Sequence, residues 1–141
     1  MKKQLLLLGC AIGLTLIPAK AQDDKDKTPL GKQMESMSDA YKAMRKETDA
    51  VKGAALARDA QQAALKAALE IPAMVKEMPE GPDKVKAAVE YRKMMGKLFI
   101  SLCEVEEAFN NGKLDDVAKI VTNLKDMKKQ GHEKFVKEDE H

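Results

Sequence analysis

Apolar side chains recur along four stretches of the chain at alternating steps of four and three. In the first they fall on Leu30, Met34, Met37, Tyr41, Met44, Thr48 and Val51, with Thr48 the one polar interruption. That spacing turns one face of a helix toward its neighbours. Thr28-Pro29 reads as the start, Thr as N-cap and Pro at a position whose missing N–H does no harm. Gly53 is expected to end this helix or to weaken it. The second helix is expected from about Ala54 to Glu70, its stripe of Leu56, Ala60, Ala63 and Ala67 largely alanine, with Leu65 and Leu69 beside it. Pro72 interrupts, a stub over residues 73–78 follows, and Pro79, Gly81 and Pro82 form the strongest breaker cluster in the chain. The third helix starts at about Asp83 and turns Ala88, Tyr91, Met95, Leu98, Leu102, Val105 and Phe109 inward. Asn110-Asn111-Gly112 ends it with residues that tolerate left-handed backbone. The fourth places Leu114, Val117, Val121, Leu124, Met127 and Phe135 inward before the acidic tail KEDEH.

Four helices joined by short loops predict an all-α fold, an antiparallel up-down-up-down four-helix bundle, occupying residues 29–138. In that topology the start of the first helix and the end of the fourth lie at the same end. Met34, in the opening turns, and His132, in the closing turns, are therefore expected to be neighbours in space.

The chain before the bundle reads differently. Residues 1–21 have the form of a cleaved secretory signal: Lys2 and Lys3, an apolar run from Leu5 to Ile17, and the small-x-small site Ala19-Lys20-Ala21. The run is too short for a comfortable membrane span. A lipidated Cys10 is the rival reading, disfavoured by only five apolar residues ahead of it. Residues 22–28, QDDKDKT, read as a flexible leader. These features point to export from the cytoplasm. They also alter the charge balance. Of the 25 basic side chains, three (Lys2, Lys3 and Lys20) leave with the signal, so 22 face 23 acidic ones, a net charge of −1. No clustered positive patch argues for nucleic acid. Cys103 is then the one remaining cysteine, and neither CxxC nor CxxCH is present. Thioredoxin-like redox chemistry and covalent haem attachment are both excluded. Cys103 itself reads as a helix residue beside the core.

No Ser/His/Asp or Cys/His constellation, Gly-rich phosphate loop or pair of inward carboxylates supports an enzyme. The candidate chemistry rests on Met34 and His132. Met34 lies in the apolar seam. His132 lies about 70° from the centre of its helix's apolar stripe, at the stripe's edge. A thioether and an imidazole across a low-polarity gap suit a haem iron, and such a pair favours electron transfer. The plainer readings are core filling for a seam methionine and a solvated or dipole-facing role for a histidine near a helix C-terminus. Met34-x-x-Met37 and Met94-Met95 also offer soft sulfur to cuprous ion, although the seam already accounts for Met34 and Met37 and no dense Met/His tract is present.

The front segment LGKQMESMSDAYKAM, and the back segment from FNNGKLDDVAKIVTNL to HEKF, resemble the cytochrome b562 family of soluble periplasmic b-type cytochromes. The resemblance covers most of residues 29–136 and is specific mainly at the two ends. It implies non-covalent haem b with Met34 and His132 as axial ligands, Tyr91 as a haem-packing aromatic, and Met95 where the family has a second aromatic. Lys128 stands in place of an arginine near the haem edge, and Val136 in place of another. Lysine can neutralise a propionate but cannot bind it bidentately. The implied role is that of a monomeric electron carrier meeting an unidentified redox partner. The alternative is a haem-free helical binding or stress-response protein of the same fold.

Overall fold

A computed structural model describes residues 27–136. The expected signal and leader up to residue 26, Cys10, and the tail from residue 137 lie outside the described residues. Within them the chain forms α1 (Pro29–Met44), α2 (Ala50–Ala68), a single-turn α3 (Ala73–Lys76), the long α4 (Pro82–Asn110) and α5 (Leu114–Phe135). The four long helices make the expected bundle. Thr28 caps α1 as its sequence foretells, its Oγ1 accepting from the Gly31 N–H at 3.0 Å.

The apolar seam fails at the α1–α2 junction. The steps of four and three carry the first helix through Thr48 and Val51. In the structure α1 stops at Met44, and Val51 is 76% exposed in the first turn of α2. The reason is a local set of polar side chains. The Glu47 carboxylate accepts from the N–H groups of Thr48 and Asp49 at 2.9 and 2.8 Å. Asp49 Oδ1 accepts from the Lys52 N–H at 2.9 Å and caps α2. These bonds supply the amides that a helix start leaves orphaned.

Gly53 therefore ends nothing. It is buried within α2, and a Cβ at this position would stand 2.3 Å from the ring of Phe109. Phe109 is fully buried near the C-terminus of α4, so glycine is what lets α2 and α4 touch here. The alanine stripe extends that close approach. Ala57, Ala60, Ala64 and Ala67 are all buried, while Leu65 and Leu69 point outward. Leu114, expected inward, is 40% exposed at the first residue of α5.

Helix pairs pack in the order α1–α2, α2–α4 and α4–α5, and α3 bridges α4 and α5. Among the described residues, α1 and α5 share no comparable backbone contact. The ring of four helices is thus open along one edge. At one end that edge is α1's start and α5's finish. At the other end the chain turns tightly from α4 to α5 through Gly112, at φ 66°. The Gly112 and Lys113 N–H groups donate to the Phe109 and Ala108 carbonyls, each at 2.9 Å, closing α4.

Two glycine substitutions separate the close contact from helix propensity. Gly53→Ala should lower stability to urea by about 1–3 kcal/mol, the usual range for overpacking. Gly96→Ala, where the new methyl meets nothing within 4 Å in mid-helix, should raise it by about 0.5–1 kcal/mol.

Candidate functional site

The open edge widens into a cavity of about 1070 Å³ at the end where α1 begins and α5 finishes. That is at the upper limit of ordinary ligand pockets, roughly 300–1,000 Å³. Met34 lines it from α1 and His132 from α5. Met34 is half-buried against the core, and His132 is exposed at the rim. Tyr91 and Met95, both buried on α4, contribute to the same wall. Lys128 lines the cavity one turn before His132, its Nζ donating to Ser38 Oγ of α1 at 3.4 Å. The five residues that sequence and resemblance single out thus border one space.

Tyr91 fixes the inner wall. Its hydroxyl donates to the Ala67 carbonyl at 2.9 Å, tying α4 to the end of α2. Its ring meets Phe135 of α5 edge-on, with centroids 5.4 Å apart and planes at 79°. Burial pushes the phenol up to about 12, with the Glu70 charge adding to the effect. The hydroxyl therefore remains a neutral donor through the physiological range.

Other residues at the cavity are not evident from the sequence. Met37, Met74, Met94 and Met127 also line it. With Met34 and Met95, six of the eight methionines in the described region share this space. Thioether side chains adapt their shape to an occupant more readily than branched ones. Met74 sits on α3, and no periodicity marks that single turn. Glu90 is the one carboxylate on the cavity wall, and Lys134 is ion-paired to it. Cys103 lies off the cavity, and burial, with the Glu106 and Glu104 charges, pushes its thiol up and keeps it protonated.

The cavity thus lies between the outer helices of an all-α bundle, its wall is largely apolar, and Met34 and His132 border it from different helices. The family model described as cytochrome b562 matches residues 29–136, and the chain belongs to that family. The family is one of haem-binding electron-transfer proteins. No curated protein matches the chain. The donors present fit haem b: soft sulfur, a nitrogen base, an aromatic wall and lysines at the edge. Among the described residues no group of His, Cys, Asp and Glu suits a metal ion on its own.

Tyr91 gives a pH-dependent test of the wall. Its folded-state ionisation lies above the usual value of about 10. The neutral phenol's contribution is therefore complete below pH 10 and disappears as pH rises through 12. Wild-type protein should lose urea stability over that window more steeply than Tyr91→Phe. Below pH 10 the substitution should cost about 0.5–1.5 kcal/mol for the lost hydrogen bond.

Proposed function

We propose that the protein is a periplasmic electron carrier holding non-covalent haem b between Met34 and His132. The observation that carries this reading is their shared cavity at the one edge where α1 and α5 do not close on each other. Bound haem, held by Met34 and His132, would supply a one-electron couple. Met34 offers a neutral, polarisable sulfur from a helix whose neighbouring seam residues Met37 and Met44 are buried. His132 offers a ring nitrogen from the last turns of α5, with Phe135 three residues on packed against Tyr91. Tyr91 and Met95 exclude water from the inner side. Lys128 brings positive charge to the edge. The periplasmic setting rests on the signal-like residues 1–21. Among the described residues no helix is long and apolar enough to cross a membrane.

The reaction class follows from what the residues leave available. With Met34 and His132 both holding the group, the protein's part would be to hold, shield and present it. The partner meets the exposed edge.

Addition of haemin to the purified protein should give a sharp low-spin spectrum on reduction. Met34→Ala and His132→Ala should each abolish it. At a free haemin concentration of 100 times Kd, binding should stabilise the fold by about 2.7 kcal/mol. A colourless protein whose melting temperature ignores haemin would support the haem-free alternative, and unchanged spectra in both variants would refute the ligand assignment.

A further inference from the structure

The cavity has a second chemical character, carried by α4. Lys86, Lys93 and Lys97 all line it and are exposed. Their spacing of seven and four places them along one stripe of the helix. No carboxylate among the described residues is ion-paired to any of the three. The nearest candidate, Glu90, lies in the same stripe and is bound to Lys134. The resulting field is felt at Glu90, whose carboxyl is held below the usual range by the Lys134 hydrogen bond and charge, with Lys86 and Lys93 adding to the effect. Five lysines and one carboxylate therefore border a largely apolar cavity. Ordinary solvated helix faces interleave the two signs; at this cavity edge one sign dominates.

We propose that Lys86, Lys93 and Lys97 form a carboxylate-recognition edge of this cavity, so that its occupant is an apolar plate carrying negative charge on one side and is held by that edge independently of any metal. The proposal deepens the haem reading, resting on it only for the shape of the occupant. Lys128 on α5 adds to the positive charge that these three residues offer a dicarboxylate. Flexible ammonium groups suit this task, since each can follow a carboxylate without a fixed bidentate geometry. The six methionines of the wall then adapt to the apolar body.

The test uses metal-free protoporphyrin IX, which carries two carboxylates, and its dimethyl ester, which carries none. Neither engages Met34 or His132 through iron. Binding to the apoprotein is followed by porphyrin fluorescence at low and moderate salt. The diacid should bind more tightly than the ester by at least about fivefold, and only its affinity should weaken as salt is raised. Lys93→Glu/Lys97→Glu should remove most of that preference. Lys52→Glu/Lys119→Glu, on exposed positions away from the cavity, should leave it intact. Far-UV helicity and melting of each variant establish that it is folded. Met34→Ala and His132→Ala should retain the diacid preference while losing the haemin spectrum, so the two readings fail separately. Equal affinity for diacid and ester, no diacid binding, or an unchanged preference in the folded lysine double variant would overturn the proposal.

Discussion

The contact between Gly53 and Phe109 sets the geometry on which the rest depends. A helix backbone can approach an aromatic ring this closely only where no Cβ intervenes. The alanine stripe of α2 extends the approach toward the other end of the bundle, where the Tyr91 hydroxyl reaches the Ala67 carbonyl. Helices α2 and α4 thus form a tight central pair. The outer helices α1 and α5 pack on opposite members of that pair, and among the described residues they share no comparable backbone contact. The cavity is a consequence of that inequality. Small side chains close one side of the bundle, and long flexible ones leave the other side open.

The two ends of the bundle then do different work. At the α4–α5 turn, Phe109, Val105 and a glycine-ended helix make a dense, dry packing. At the opposite end the wall consists of methionines, one buried tyrosine and a rim of lysines. The first end supplies rigidity, because a fully buried aromatic typically contributes several kcal/mol. The second offers six flexible methionines that adapt to an occupant, set among leucine and valine side chains. The densest packing and the cavity therefore lie at opposite ends of the molecule.

Much of this was legible in the sequence, for identifiable reasons. Met34 fell in a seam of steps three and four, and such a seam has one inward face. The up-down topology followed from short connections, and with it the meeting of α1's start and α5's end. The break at residues 45–49 was not legible from periodicity, because Thr48 and Val51 continue the rhythm while Glu47 and Asp49 satisfy the amides of a new helix. Gly53 departs from the sequence pattern for a related reason. A glycine near a seam's end suggests a stop, and only the position of Phe109, 56 residues later, reveals a contact. His132, off the centre of its stripe, could face water or a gap, and the structure places it on the rim, where it meets both. The lysines of α4 resembled any solvated helix face until the cavity beside them was known.

The electron-carrier reading turns on one methionine, Met34, meeting the cofactor's iron. Proton NMR of the reduced, haem-loaded protein examines this directly, because a methyl group held over the face of a porphyrin is shifted far upfield by the ring current. A single methionine methyl resonance so displaced is expected, assigned to Met34, with the methyls of Met37, Met74, Met94, Met95 and Met127 outside the strongly shifted region. A spectrum with no such resonance, or one in which the displaced methyl belongs to another methionine, would contradict it.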